Sequence, residues 1–245
     1  LTQDGIAEAF AVFAGRHGLE FANSAKHRVT HPSAATVKWS RTVIAARLDA
    51  DYFQPRFQKL MAALSRQGLK IGDVATLRRE QFVPSLSGEF RYIEIGGVSS
   101  DGFAAEESVP NEDAPSRAKW IVRSGDIITS LVRPARRLTA IIDDEQEGCV
   151  CSSGFAVLEP TSVAKEVLFA YLRQPEVCWM MDMHCTASLY PAISASDLMS
   201  LPFLPPDKKM ENEIVESIRS AWTQKRQATK LIHRMSGAYG ILPQE

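Results

Sequence analysis

Cysteine is scarce in this chain: Cys149, Cys151, Cys178 and Cys185 are the four in 245 residues. Four are too few for a secreted disulfide framework, and the expectation is a reducing cytoplasm. Charge of one sign is lacking as well. Lys and Arg number 28 against 29 Asp and Glu, a formal net charge of −1. Bulk charge therefore supplies no attraction to a polyanion, and any such attraction has to be local. No apolar run reaches the length of a membrane span; the stretch 183–196 is short and contains His184, Ser188, Pro191 and Ser194. Residues 1–13 lack the basic region and cleavage site of a signal peptide. An opening on Leu1 rather than Met leads us to expect a piece of a longer polypeptide or a trimmed form.

Catalytic signatures are also missing. The sequence has no Gly-x-x-x-x-Gly-Lys-Ser/Thr loop for phosphate and no Gly-x-Gly-x-x-Gly fingerprint. An adenine methyltransferase needs Asn, Asp or Ser, then Pro-Pro, then an aromatic; Pro205-Pro206 stands between Leu204 and Asp207, without the hydrogen-bonding side chain or the ring. No carboxylate pair followed by Glu-x-Lys has nuclease spacing. Ser152-Ser153-Gly154 lacks the preceding glycine of a nucleophile elbow. Cys149-x-Cys151 with a distant His184-Cys185 does not match structural zinc spacing, and these thiols read as buried and inert. His27 and His31 lie in a Pro-containing loop, and Met180, Met181 and Met183 read as core filling. No metal site and no cofactor is expected in the chain.

What remains is an ordinary globular composition, 45% hydrophobic and 23% charged, long enough to bury roughly 70–75% of its unfolded surface. Ile6, Phe10 and Phe13 suggest a short amphipathic helix. Residues 20–47 carry Lys26, Arg28, Lys38, Arg41 and Arg47 against Glu20, and read either as a solvated linker or as a basic arm touching phosphate. Phe57, Leu60, Met61 and Leu64 form a helical stripe that Gly68 would stop. The stretches 91–95, 120–122, 127–132, 138–142 and 154–158 are rich in β-branched or aromatic residues and bounded by turn formers, as strands are. Helix is predicted at 163–173, where Pro175 blocks continuation, and again at 177–183. A Pro-punctuated segment over 190–206 leads into a long helix from Asp207 to Met235. Along it Ile214, Ile218, Ala221, Ala228, Ile232 and Met235 form a heptad-like, coiled-coil seam, with Lys225 filling a gap. Such a helix is about 40 Å long, longer than a small domain is wide, so part of it should pack on another projecting element.

The local charge lies in 116–137, where Arg117, Lys119, Arg123, Arg133, Arg136 and Arg137 face one acid, Asp126. Arg133-Pro134-Ala135-Arg136-Arg137 falls in a turn between two predicted strands. The planar arginine fork suits phosphate or the O6/N7 edge of guanine. Arg78 and Arg79 make a second basic point. The competing reading is a solvated face balanced by Glu106, Glu107, Glu112 and Asp113.

Five stretches, taken in order, resemble the specificity subunit of type I restriction-modification systems, over roughly residues 45–235. Arg47-Leu48-Asp49-Ala50-Asp51-Tyr52-Phe53-Gln54-Pro55 is similar to that family's lead-in. Gly125-Asp126-Ile127-Ile128-Thr129-Ser130-Leu131-Val132-Arg133-Pro134 is similar to its central strand motif, and the stretch 150–158 to the strand that follows. Tyr190-Pro191-Ala192-Ile193-Ser194 and the run from Leu198 to Pro206 are similar to its approach to the long helix. Two departures stand out. Glu211-Asn212 replaces a Glu-Gln that comes earlier in the family, and Ala187-Ser188-Leu189 stands where a glycine is common. A full subunit carries two recognition domains; this chain, with no internal repeat, has one.

The resemblance implies an α+β fold: a helical N-terminal extension or linker over 1–45, a mixed strand-and-loop target-recognition domain over 46–206, and a conserved spacer helix and tail over 207–245. It implies sequence-specific binding of double-stranded DNA by a non-enzymatic module in the cytoplasm. Partners would be a DNA adenine methyltransferase subunit or domain, a restriction subunit, and a second copy through the long helix. S-adenosylmethionine, ATP and Mg would belong to those partner subunits. DNA contacts are expected at Arg78, Arg79, Arg117, Lys119, Arg133, Arg136 and Arg137, with Ser188 and Tyr190. Residues 1–45 loosely resemble the tail of an adenine-specific methyltransferase. That leaves a second reading, the C-terminal recognition part of a fused methyltransferase or methyltransferase-nuclease. A third is a helix-mediated assembly protein that does not touch DNA.

Overall fold

The stripe at Phe57, Leu60, Met61 and Leu64 becomes helix α1 (Pro55–Leu64), with Pro55 at its first position. A 3-10 turn (Ser65–Gln67) extends it to Gly68, which turns left-handed at φ 70° as the C-terminal glycine should. This is a computed structural model describing residues 52–185 and 190–238. The N-terminal extension, the 20–47 segment, the first part of the lead-in motif, and Ser188 lie outside the described residues.

One turn of helix, α2 (Ile71–Val74), leads into eight short strands. They are β1 (Ala75–Leu77), β2 (Glu89–Ile93), β3 (Glu107–Pro110), β4 (Ala118–Ile121), β5 (Ile127–Ser130), β6 (Thr139–Ile141), β7 (Val150–Ser152) and β8 (Phe155–Pro160). They form two four-stranded sheets, ordered β1-β8-β5-β6 and β3-β2-β7-β4. The first is antiparallel throughout, and in the second β2 and β7 run parallel, with Tyr92 opposite Val150. Helices α3 (Lys165–Leu172), α4 (Pro175–Met183), α5 (Ala195–Ser200) and α6 (Lys208–Ala238) follow.

The first sheet is buried on both faces, which is why its strands read as continuous apolar runs rather than alternating ones. Ile127, Ala156 and Leu158 face the helices and join Phe57, Phe169, Tyr171 and Phe203. Ile128, Phe155 and Val157 face the second sheet and join Ile93, Val122, Ile142, Cys149 and Cys151. The layers are therefore helix, sheet, sheet. Cys149, Cys151 and Cys178 are buried thiols outside any disulfide.

Several sequence expectations change. The stretch 150–158, read as one strand, is two strands in different sheets, because the chain crosses between them at Ser153-Gly154. A Cβ on Gly154 would lie 2.5 Å from Cδ1 of Ile95, so a larger residue at the crossing would require the Ile95 side chain to move. The Pro-punctuated segment contains α5, capped by Ser194 Oγ accepting from Asp197 N at 3.0 Å. Strands β1 and β3 had no sequence signal. The break before Pro175 stands: α3 ends at Leu172 and α4 starts on the proline.

Helix α6 has 31 residues, about 46 Å at 1.5 Å per residue. Its first half lies on α3. Met210 and Ile218 are buried, and Ile214, Val215 and Trp222 pack beside them. Arg219 Nε donates to Glu166 Oε1 at 2.7 Å, Lys225 pairs with Asp101 at 3.4 Å, and Arg226 with Asp143 at 3.1 Å. Of the expected seam, Ile218 is buried and Ile214 and Ala221 are half-buried against the chain's own domain, whereas Ala228, Ile232 and Met235 are exposed. Among the described residues no helix is long and apolar enough to cross a membrane.

Candidate nucleic-acid interface

The turn from β5 to β6 carries three of the candidate arginines. Its core is a 3-10 turn over Pro134–Arg136, with Pro134 buried. Arg133 and Arg137 flank it at φ 50° and 56°, the two non-glycine residues with positive φ among the described residues. A left-handed residue other than glycine costs about 1–2 kcal/mol, so neighbours must hold this posture. At the first end, Arg133 N donates to Pro191 O at 2.8 Å, and Ile193 N donates to Leu131 O at 3.0 Å. At the other end, Arg137 O accepts from Thr139 N at 3.0 Å. Arg133 and Arg136 are exposed, and Arg137 is half-buried.

The same main-chain ties carry the edge outward. Leu131 N donates to Gly154 O at 2.9 Å, and Ser153 N donates to Arg117 O at 2.7 Å. Arg117, the Ser153-Gly154 crossing, Arg133 and Pro191 thus form one hydrogen-bonded rim. Tyr190 is 72% exposed, and the Arg133 guanidinium lies 5.7 Å from its ring centre, within cation–π range. Lys119 lies over Trp120 at 5.5 Å.

Sequence reasoning missed one neighbour of this rim. Gln81 bridges Trp120, and Phe82 N donates to Lys119 O at 2.8 Å, so the chain runs antiparallel to β4 toward Arg117. Phe82 stacks on Phe90 at 4.4 Å and anchors the loop that follows. That loop presents Val83 at 80% and Leu86 at full exposure. The available signal was two apolar residues inside a Pro/Ser/Gly loop, where burial was not required of them.

Charge pairing divides the cations. Arg78 donates from Nε to Asp126 Oδ2 at 2.7 Å and from Nη2 to Asp126 Oδ1 at 3.1 Å, and Glu159 lies 3.2 Å away. Asp126 is buried and also accepts from Arg123 N at 2.9 Å. Arg78 therefore holds β1 to the start of β5, and its fork is occupied. Arg123 pairs with Glu80 at 2.6 Å and Glu147 at 3.0 Å. Hydrogen bonds to these two carboxylates raise its pKa, while the Ser124 backbone N–H and Arg123 hold Glu147 below its usual value. By contrast, none of Arg117, Lys119, Arg133, Arg136 and Arg137 has a carboxylate within ion-pair distance among the described residues. Arg79 is exposed beside Arg78. Two of the acids that the sequence set against them face other groups or another edge. Glu106 faces Arg91 at 3.7 Å and Gln146 at 2.8 Å, and Glu107 begins β3, at the sheet edge opposite β4.

The three buried thiols are unsuited to nucleophilic work. Burial pushes Cys149 up to about 11 and Cys178 up to about 12, and raises Cys151 as well. Among the described residues no three His, Cys, Asp or Glu side chains are grouped as a metal would need.

No protein-family model matches the chain. It is 27% identical over 152 residues to the type I restriction enzyme HindI specificity subunit of Haemophilus influenzae, across 60% of this chain and 33% of that protein. Two solved structures share the fold, each with a TM-score of 0.55. One, from work on complex assembly and conformational transition of the type I R-M system, is 25% identical and matches 69% of this chain and 45% of its own. The other, the HsdS subunit from Thermoanaerobacter tengcongensis, is 23% identical over 71% of this chain and 46% of its own. The chain thus spans about a third of the curated relative and just under half of each solved chain. By sequence and by fold together, this chain is similar to the specificity subunits of type I restriction-modification systems.

Proposed function

We propose that this chain is the DNA-reading module of a type I restriction-modification system, contacting one half of a bipartite duplex target and directing partner methyltransferase and endonuclease subunits to it. One observation carries the reading: Arg117, Lys119, Arg133, Arg136 and Arg137 are five cations on β4 and the neighbouring loops with no carboxylate within ion-pair distance among the described residues, while Arg78 and Arg123 nearby are paired. Unpaired guanidinium forks on a rigid rim suit phosphate oxygens and guanine edges. Tyr190 and Arg79 extend the contact surface, with Val83 and Leu86 as apolar contacts beside it. Arg78 acts as an internal clamp. S-adenosylmethionine, ATP and Mg are used by the partner subunits, and this chain makes and breaks no bonds. The exposed half of α6, with Leu231, Ile232 and Met235, packs on a helix of a partner or of a second copy.

The test is fluorescence anisotropy with a duplex carrying the adenine-methylated motif of the host genome, at low salt. The pair Arg136→Ala with Arg137→Ala should weaken binding at least tenfold, since each base-reading arginine is worth about 1–3 kcal/mol. Unchanged affinity removes the turn from the interface.

A further inference from the structure

We propose that Arg173 is a positioning residue for the Arg133–Arg137 turn: its guanidinium, held at the end of α3, fixes the main chain of the turn in the posture that presents Arg136 and Arg137. The inference rests on the reading of that turn as a DNA contact and adds a residue which touches no DNA.

Arg173 follows the last residue of α3. Its Nη1 donates to the carbonyls of both Arg137 and Thr139, at 3.2 Å each, and its Nη2 donates to the carbonyl of Ser100. No carboxylate lies within ion-pair distance of it among the described residues. A half-buried cation satisfied by three main-chain carbonyls is an unusual arrangement, because a carboxylate would offset its desolvation more strongly. The carbonyl arrangement has a geometric consequence instead. One planar fork binds two separate loops at once, which a lysine's single ammonium point cannot reproduce.

The turn needs such an anchor. Arg137 sits at φ 56°, and its carbonyl is one of the three acceptors. The first end of the turn is already held through Arg133 N on Pro191 O. Without Arg173 the second end would keep the local ties of Thr139 N to Arg137 O and of Ser130 N to Leu138 O, but would relax toward an ordinary backbone conformation, carrying the Arg136 and Arg137 side chains with it.

The second loop is equally constrained. Gly102 has φ +87°, and a Cβ there would lie 2.4 Å from Cζ of Phe169 and 3.2 Å from Nη1 of Arg173. The loop therefore closes directly on the ring and delivers the Ser100 carbonyl. The Arg173 guanidinium lies 5.1 Å from the Phe169 ring centre, and Trp222 of the long helix meets the same ring edge-on at 5.4 Å. The turn is thereby seated on the same cluster that seats the spacer helix. Burial lowers the pKa of Arg173.

The experiment uses the full chain carrying Arg173→Lys, with the methylated-motif duplex and a scrambled duplex of equal length. Affinity for the target should fall about tenfold, affinity for the scrambled duplex less than twofold, and the salt slope should not change, because no phosphate contact is removed. Amide exchange should quicken over 133–139 and stay slow in β5 and β8. A folded Arg173→Lys protein that binds the target as tightly as the parent overturns the inference. Should Arg173→Lys fail to fold, Gly102→Ala disturbs the same cluster from the opposite loop and should show the same loss of target preference; unchanged preference overturns the inference equally. If Arg136→Ala with Arg137→Ala leaves binding intact, it is the DNA role of the turn that falls. If that pair weakens binding and Arg173→Lys does not, the positioning role alone falls.

Discussion

At the scale of single residues, arginines of one sequence neighbourhood divide into two kinds. Arg78 and Arg123 have carboxylate partners; Arg117, Arg133, Arg136 and Arg137 have none within ion-pair distance among the described residues. The two kinds should respond oppositely to substitution. Arg78→Met leaves the buried Asp126 carboxylate without its fork, and should cost on the order of 2–3 kcal/mol of stability in urea denaturation, the upper range for a buried pair being tempered by the partial exposure of Arg78. Arg136→Ala should change stability by less than about 0.5 kcal/mol, as exposed substitutions do, and should act on DNA affinity instead. Equal destabilisation by both would contradict the division. The thiols give a separate check. Cys149 and Cys178, raised to about 11 and about 12, stay protonated at pH 8, so mass-spectrometric maleimide mapping should find them unlabelled in the native chain and labelled in urea. The sequence could show where cations cluster but not which are free. Arg78 and Asp126 are 48 positions apart, and Asp126 looked like the lone acid of a basic stretch. Nor could it show Arg133 and Arg137 in a left-handed posture, since arginine has no preference for it.

At the scale of elements, the legible parts are those with a period. The stripe of α1, the stop before Pro175 and the long helix follow from spacing alone. The central strands were legible because burial on both faces makes them uniformly apolar. Strands β1, β3 and β7 have three or four residues each, too few for a period, and are held by pairing with distant segments. Helix α6 is the element with two environments. Its first half rests on Phe169 and Glu166, and Trp222→Ala there should destabilise the domain by about 2 kcal/mol, less than a fully buried aromatic because Trp222 is partly exposed. Its second half shows Leu231, Ile232 and Met235 at 55%, 65% and 57% exposure, beyond the reach of its own domain. Changing these three to serine should leave the melting temperature of the chain unaltered and abolish association with a partner helix in sedimentation velocity. A fall in melting temperature with association intact would mean that this half packs internally.

At the scale of the whole molecule, a chain with a net charge of −1 carries a cationic rim at the β4 and β5–β6 end, while Glu107 starts the opposite edge strand of the second sheet. Attraction to DNA then comes from local cations and should be salt-sensitive. With three to five phosphate contacts, the slope of log K against log salt should be about −2.7 to −4.5. A slope near zero would point to an interface without phosphates. Helix α6, through Met210 and Ile218, shares one core cluster with Ile193, in the segment that ties the β5–β6 turn. The decisive measurement is a map of methylated adenines in host DNA from cells with the chain, without it, and with Arg136→Ala and Arg137→Ala. One bipartite motif should be methylated in the first and lost from the other two. A symmetric motif would imply two copies per complex, because the symmetry of a dimer is mirrored in its site. The same motifs methylated to the same extent in all three would mean that this chain does not choose the sequence at which its partners act.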